Sequence, residues 1–150
     1  LINKDYGKDF KKHLLSQYTL FVKTSENITS KRMNVNKFYL TLNSVLLGFT
    51  SYLSIINEKI VTLVLLVIGI LISFVWLESI SLYKCLNSAK FKVINKIESY
   101  LPASPFNKED EYLRGDYKLT KLEKYVPMIF TGLYFLILII LGVNFILNLL

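Results

Sequence analysis

The sequence predicts an all-α membrane protein with three transmembrane helices per chain and a cytoplasmic layer of amphipathic helices. Three stretches carry no charge, residues 38–56, 60–77 and 125–150, and each is long enough to cross about 30 Å of hydrocarbon. Hydrophobic residues make up 53% of the 150, more than a soluble domain of this length usually needs. Lys and Arg avoid the three stretches: eight lie in residues 1–37 and nine in residues 84–124. This distribution places both basic regions in the cytoplasm and predicts a multi-pass membrane protein.

The N-terminal region, residues 1–37, predicts a cytoplasmic amphipathic helix that begins near Lys8 and ends near Met33. Its apolar side chains recur every three or four residues and lysines separate them, as at Phe10, Leu14 and Tyr18. Such a helix packs its apolar stripe on the stalk helix, or it lies on the bilayer surface or forms a ligand-sensing face.

Residues 38–77 predict a transmembrane hairpin. The spans 38–56 and 60–77 are joined by only three residues, Asn57, Glu58 and Lys59, so they should run antiparallel with their tip outside the cell. Trp76 comes near the end of the second span, where an indole suits the headgroup region.

The second helix is expected to continue past Glu78 as a stalk, residues 78–101, because nothing before Pro102 breaks the helical pattern. From Lys59 to Leu101 that helix would be roughly 60 Å long at 1.5 Å per residue. An apolar stripe at helical spacing runs along the stalk: Leu82, Leu86, Ala89, Val93, Ile97 and Tyr100.

Pro102 and Pro105 should end the stalk, and residues 78–124 as a whole form a cytoplasmic segment of stalk and Pro-bounded loop. The third span, residues 125–150, then carries the C-terminus outside while the N-terminus stays in the cytoplasm. Tyr125 and Tyr134 are interface anchors in this interpretation.

Polar residues are concentrated in the first span and sort onto two helix faces. A buried amide such as Asn43 is costly against lipid, so it should face protein or water. In a ring of protomers the first face could line an aqueous path; in the alternative, Asn43 bonds a neighbouring helix and nothing passes. The first face holds Asn36, Asn43, Thr50 and Ser54, and the second, which would allow close helix approach, holds Thr41, Ser44, Gly48 and Ser51.

The stalk carries polar groups beside its apolar positions, and these are candidates for contacts between protomers or with an anionic cytoplasmic ligand. The alternative is a solvated face that only satisfies membrane topology. The residues are Lys84, Asn87, Lys90 and Glu98, with Lys92 and Lys96 available to complete a cationic ring.

No catalytic, cofactor or metal site is predicted. His13 and Cys85 are the only residues of their types, so one chain cannot supply a His/Cys metal site. The acidic run 109–111 reads as a solvated loop. We therefore expect a protein that is not an enzyme, and we expect no nucleic-acid partner because membrane topology already accounts for the lysines.

The chain resembles the RipA family of small bacterial inner-membrane proteins, described as octameric. A departure is the run Glu109-Asp110-Glu111-Tyr112, where the family pattern has an acidic residue followed by Trp. The residues that carry the resemblance are Tyr18-Thr-Leu20, Ser30-Lys-Arg32, Asn36 to Leu40, Leu42-Asn43, Trp76, Tyr83-Lys84, Leu86 to Lys90 with Phe91 to Ile94, Glu98, Leu101-Pro102, Pro105-Phe106, Leu122-Glu123, Pro127 and Phe130.

The resemblance implies an octamer in the lipid bilayer without a settled biochemical activity. The layout is also similar to SLATT membrane effectors, which are associated with nucleotide-signalling defence and are proposed to form pores. Two functions follow as expectations: a pore or channel-like effector gated through its cytoplasmic layer, or a non-conducting scaffold that recruits partners or organises lipid.

Overall fold

The structure is a computed structural model, and it describes residues 7–56, 58–113 and 119–147, apart from the side chains at positions 110, 113, 119 and 120. It contains four helices, α1 (Phe10–Ile55), α2 (Lys59–Glu98), α3 (Pro105–Leu113) and α4 (Leu119–Leu147), and no strand within the described ranges. Three of them are long and apolar enough to cross a membrane. The predicted all-α class with three candidate spans is therefore confirmed. Asn57 at the hairpin tip and residues 148–150 of the third span lie outside the described residues.

The first helix differs from the expectation that an amphipathic helix would end near Met33. Instead, α1 continues without a break from Phe10 to Ile55. The physical reason is that its only glycine is Gly48 and it contains no proline, so nothing interrupts the backbone ladder. Several hydroxyls along it donate to the carbonyl four residues earlier, as Thr19 does to Leu15, and so need no partner outside the helix.

The second helix agrees with the single long helix that the sequence predicts. The helix ends at Glu98, three residues before the expected end at Leu101. Beyond this point the backbone amides of Tyr100 and Leu101 donate to the carbonyls of Ile97 and Glu98. The expectation that residues 109–111 form a solvated loop is wrong, because they lie within helix α3. This helix starts at Pro105, a favourable first helical position because proline has no amide proton to satisfy there. Helix α4 begins six residues before the predicted third span and includes Pro127.

The chain divides into two compact units. The span unit comprises Arg32–Leu82 and Lys118–Leu150, and the lysine-rich unit comprises Leu1–Lys31 and Tyr83–Tyr117. Helices α1 and α2 each contribute residues to both units.

In the span unit, α1 and α2 run antiparallel, because Asn36 bonds Trp76 whereas Asn43 bonds Ser73. Helix α4 runs parallel to α1, since Glu123 pairs with Arg32 and Tyr134 pairs with Asn43. The fully buried side chains include as many polar as apolar ones: Leu66, Ile80, Tyr134 and Pro127 beside Asn43, Thr50, Thr62 and Ser73.

In the lysine-rich unit, α1 and α2 are also antiparallel. Tyr18 bonds Glu98 near the end of α2, while Thr24 meets Lys90 earlier in that helix. Helix α3 joins this pair through Phe106, whose ring packs edge-on against Tyr18 with 6.5 Å between centroids. The buried side chains are Leu14, Ser25, Ile94 and Glu98.

Candidate functional site

A polar node joins the three helices of the span unit at Asn43. The Asn43 amide nitrogen donates to the Tyr39 carbonyl at 2.9 Å, and its oxygen lies 3.0 Å from the Ser73 hydroxyl of α2. The Tyr134 hydroxyl of α4 lies 3.1 Å from the Asn43 backbone carbonyl and 3.3 Å from its side-chain oxygen. Asn43, Ser73 and Tyr134 are all 0% exposed. The amide that the sequence marks as costly in lipid is thus satisfied by helices of its own protomer.

Two other residues of the predicted first face also point into the protomer. Asn36 accepts a hydrogen bond from the Trp76 indole nitrogen at 3.0 Å, and Thr50 donates to the Leu46 carbonyl and is fully buried. Ser54 is half-buried and lines a cavity at the far end of the helices. The structure therefore places Asn36, Asn43 and Thr50 inside the three-helix unit. Their predicted pore-lining or helix-contact role stays a prediction for the assembly.

Trp76 is only 2% exposed, so it does not sit free at a headgroup interface. Its ring stacks on Tyr39 at 5.9 Å between centroids and meets Phe130 of α4 at 6.2 Å. The aromatic cluster packs α1, α2 and α4 together about one helical turn from the polar node.

An ion pair joins α1 to α4 where the α1 part of the span unit begins, at Arg32, and near the start of α4, at Glu123. Arg32 donates through Nε to Glu123 Oε2 at 2.9 Å and through its terminal nitrogen to the same oxygen. Both side chains are partly buried, which strengthens the pair relative to one in open water.

The second polar face of the first span is exposed, in contrast to the first. Between these hydroxyls the backbone at Gly48 has open space, with no heavy atom within 4 Å of where a Cβ would be. The exposed face therefore offers small and hydroxyl-bearing groups to lipid, water or another helix: Thr41, Ser44, Gly48 and Ser51.

In the lysine-rich unit, Glu98 is 1% exposed and accepts three hydrogen bonds. The Tyr18 hydroxyl donates to Oε1 at 2.9 Å, and the backbone amides of Phe106 and Asn107 donate at 3.1 Å each. These amides belong to the first turn of α3 and have no acceptor within that helix, so the carboxylate caps it. Burial first, and then the hydrogen bond and charge of Glu98, raise the pKa of Tyr18 to about 12.

The other predicted stalk residues fall into separate environments. The Lys90 ammonium lies 3.1 Å from the Thr24 hydroxyl and 5.5 Å from the centre of the Phe21 ring. The Asn87 amide nitrogen is 3.4 Å from the Thr29 hydroxyl, while its buried oxygen has no partner among the described residues. Lys84 is exposed, like Lys92 and Lys96. The structure thus separates an exposed set of lysines from Asn87, Lys90 and Glu98, which face α1 or α3. The predicted roles between protomers or with an anion remain predictions.

The apolar stripe of the stalk is mostly not buried. Leu82 is 60% exposed, Leu86 42% and Tyr100 54%, while Val93 and Ile97 are half-buried. In the lysine-rich unit the inner side of α2 therefore carries Ile94 together with polar side chains, and much of the apolar stripe has no partner in the described chain.

Sequence reasoning missed the contributions of Ser73 and Gly69, and it assigned Tyr134 to the membrane interface although this side chain is fully buried among the helices. A Cβ on Gly69 would lie 2.6 Å from Cε1 of Tyr134, so only glycine admits that ring. A lone glycine and serine in an aliphatic span were the available signal, since small residues permit close helix approach. No cluster of three or more His, Cys, Asp or Glu side chains that could hold a metal occurs in the part of the chain that the structure describes.

Comparison with known proteins identifies the family. The model of the octameric membrane protein family, 8xMP, matches residues 15–143, which includes the polar node, the aromatic cluster and the Glu98 cap. No curated protein and no solved structure matches the chain significantly. The match confirms the octameric membrane family expected from the stalk and first-span residues. With three helices able to span a bilayer and a family model covering most of its length, this chain belongs to the octameric membrane protein family and is an oligomeric membrane protein.

Proposed function

We propose that the assembled chains form a non-conducting scaffold in the bacterial inner membrane, with the lysine-rich unit in the cytoplasm and the C-terminus outside. One observation carries this proposal. The polar groups most suited to line a path, Asn43 and Thr50, are fully buried and bonded inside the protomer. Apart from the hydroxyl row of α1, the exposed surface of the spans is mainly apolar, which suits lipid and neighbouring helices rather than a column of water.

The proposed contact between protomers in the lysine-rich unit is the exposed apolar stripe of α2, which contains Leu86 and Ala89. Leaving this apolar stripe exposed to water is energetically unfavourable for the lysine-rich unit. Because the family is octameric, a second copy of the chain is the occupant that this stripe fits best. The exposed lysines Lys84, Lys92 and Lys96 would then be repeated around the assembly and could attract an anionic cytoplasmic ligand.

We also propose that the chain has no catalytic activity of its own. Glu98, a buried carboxylate, already accepts three hydrogen bonds, and Tyr18 beside it holds its proton more tightly than a free tyrosine. The carboxylate is occupied by its three donors, and the raised pKa of Tyr18 leaves that hydroxyl poorly suited to proton transfer near neutral pH.

A pore is the second candidate, and the exposed hydroxyl row of α1 favours it. Thr41, Ser44 and Ser51 lie on the open side of the helix, where a ring of protomers could turn them toward its centre.

Cysteine accessibility in intact membranes is a first measurement that distinguishes the two functions. In a Cys85→Ser background, Lys37→Cys, Thr50→Cys and Ser51→Cys are treated with a charged, membrane-impermeant maleimide on inverted vesicles. A scaffold predicts that Lys37→Cys reacts and the other two do not. Reaction of Ser51→Cys but not of Thr50→Cys, with Lys37→Cys reacting as before, would instead favour a pore lined by the exposed hydroxyl row. Reaction of Thr50→Cys would support the aqueous path first predicted along Asn43.

Ion flux from liposomes provides the matching functional measurement. The proposal expects no flux from wild type, Asn43→Leu or Ser51→Leu. Asn43→Leu should retain the assembly because Ser73 and Tyr134 each keep a backbone acceptor, the carbonyls of Gly69 and residue 43. Wild-type flux that either variant abolishes, with assembly intact, would contradict the scaffold.

A further inference from the structure

A cavity of about 460 Å³ lies at the end of the span unit where α1 finishes, α2 begins and α4 nears its end. This volume is in the range of small-molecule sites. Its floor and walls are apolar, from Leu63, Leu138, Leu141 and Phe145. Four polar side chains complete its lining: Ser54, Lys59, Thr62 and Asn144.

The polar groups of this cavity are largely unused within the described chain. The Thr62 hydroxyl donates to the Glu58 carbonyl at 2.7 Å, which leaves its oxygen free to accept. Among the residues that the structure describes, the side chains of Ser54, Lys59 and Asn144 have no hydrogen-bond or ion-pair partner. An amide on an exposed transmembrane face is costly, so the convergence of these groups on one cavity calls for a polar occupant.

The charge of the cavity is positive. Lys59 is the only basic residue between Lys37 and Lys84, so it is the only cation in the hairpin sequence. Glu58, its acidic neighbour, is not among the residues that line the cavity. A lysine stem can lie along apolar surface while its ammonium reaches the headgroup region.

The surroundings favour an occupant that is itself amphipathic. The neighbours in sequence of the lining residues are strongly exposed and apolar: Ile55 at 79%, Ile60 at 80% and Ile146 at 59%. In a membrane these side chains border acyl chains, so a ligand enters from lipid and its apolar part remains in contact with lipid.

We propose that this cavity binds an anionic phospholipid. The phosphate-bearing headgroup meets the Lys59 ammonium and the Ser54 and Asn144 side chains, and an acyl chain lies against Leu63, Leu138 and Phe145. The site is independent of whether the assembly conducts.

Native mass spectrometry of the detergent-purified oligomer tests the site. Dioleoylphosphatidylglycerol and dioleoylphosphatidylcholine are titrated separately onto wild type, Lys59→Gln and the control Lys121→Gln, an exposed lysine at the opposite end of α4. Wild type should retain phosphatidylglycerol roughly fivefold better than phosphatidylcholine, the effect expected for one lysine near an anionic lipid. Lys59→Gln should lose that preference and Lys121→Gln should keep it.

A second pair of variants tests the cavity rather than the charge. Gly142 lines it and has open space where a Cβ would be, so Gly142→Leu should fill the cavity and lower retention of both lipids. Gly132 has the same open space on α4 but does not line the cavity, so Gly132→Leu is the matched control. Where Gly142→Leu disturbs assembly, Asn144→Leu serves in its place.

Three outcomes would overturn the proposal. The first is equal retention of the two lipids by wild type, and the second is unchanged lipid retention in Gly142→Leu and Asn144→Leu. The third is a loss of the phosphatidylglycerol preference in Lys121→Gln as large as that in Lys59→Gln. Excess inorganic phosphate should not displace bound phosphatidylglycerol, because it supplies no acyl chain. Displacement by phosphate would show a free-anion site and would also contradict the assignment.

Discussion

The hydroxyl of Tyr134 lies 3.1 Å from the backbone carbonyl oxygen of Asn43, and this contact connects α4 to α1. Ser73 connects α2 to the same asparagine. Polar contacts between transmembrane helices contribute modestly, on average about 0.6 kcal/mol and at most about 1.7 kcal/mol in a measured membrane protein. The importance of this node lies in specificity: the Tyr134 hydroxyl and the Asn43 side-chain oxygen meet their partners on other helices only in this register, so sliding one helix past another leaves them unpaired in an apolar interior.

Tyr134→Phe should lower the free energy of unfolding by about 1 kcal/mol because it removes both hydrogen bonds while keeping the ring. The measurement is reversible unfolding of the oligomer in mixed detergent micelles. Tyr125→Phe is the control, since Tyr125 is 56% exposed and has no hydrogen bond among the described residues. Equal effects of the two substitutions would show that the node adds nothing to stability.

Gly69→Ala should destabilise the protein although alanine is the better helix former. The added Cβ would lie 2.6 Å from Cε1 of the Tyr134 ring, which is itself fully buried and cannot move aside freely. Overpacking of this kind typically costs about 1–3 kcal/mol.

The control for Gly69→Ala is Gly132→Ala on α4. A Cβ at Gly132 meets nothing within 4 Å, so this variant should be neutral or slightly stabilising through helix propensity. Parallel thermal unfolding of the two variants measures the difference. A Gly69→Ala protein as stable as wild type would mean that the ring shifts without cost.

How far the sequence predicts this molecule depends on whether the responsible interaction is local. The three uncharged runs predict three helices that are long and apolar enough to cross a membrane, because hydropathy and length act within each segment. The sequence also predicts that Asn43 avoids lipid, since an amide cannot face lipid cheaply, but it leaves both protein and water as surroundings for it. Its partners Ser73 and Tyr134 do not follow, because they lie 30 and 91 residues away.

Two expectations from the sequence are incomplete for a related reason. Tyrosine is a residue type that is common at membrane interfaces, so Tyr134 is expected there. Gly69 on α2, which has no side chain, instead leaves room for the Tyr134 ring between the helices. The stalk stripe around Leu86 predicts a helix with one apolar side, yet periodicity cannot say whether the same chain or a neighbour covers that side.

The Tyr18–Glu98 pair predicts a shift in tyrosine titration. Tyr18 should ionise near pH 12 rather than near pH 10, because burial and the adjacent carboxylate oppose its negative charge. An unfolded chain loses this proton at lower pH, so the pair contributes stability that is present below pH 10 and is lost as the pH rises toward 12. The difference in ultraviolet absorbance between wild type and Tyr18→Phe, recorded from pH 8 to 13, isolates the titration of this one residue.

Glu98→Gln is the informative companion in that experiment. It removes the charge while retaining an oxygen that can accept hydrogen bonds, so the pKa of Tyr18 should move down toward 10. It should also weaken the cap on α3, whose first-turn amides of Phe106 and Asn107 prefer an anion. A Tyr18 titration unchanged by Glu98→Gln would show that the carboxylate does not contribute to the shift.

Leu86→Lys should dissociate the oligomer if the exposed stripe of α2 is the contact between copies of the chain. The substitution places a charge on a side chain that is 42% exposed in one protomer, so a single chain tolerates it, whereas a contact between copies would have to desolvate it. Ser88→Lys is the matched control, because Ser88 is exposed on the same helix but off the apolar stripe. Native mass spectrometry and sedimentation in detergent should show smaller species for Leu86→Lys and the wild-type assembly for Ser88→Lys. Identical assemblies in both variants would place the contact between protomers elsewhere, and the exposed hydroxyl face at Ser44 and Ser51 would become the next surface to substitute.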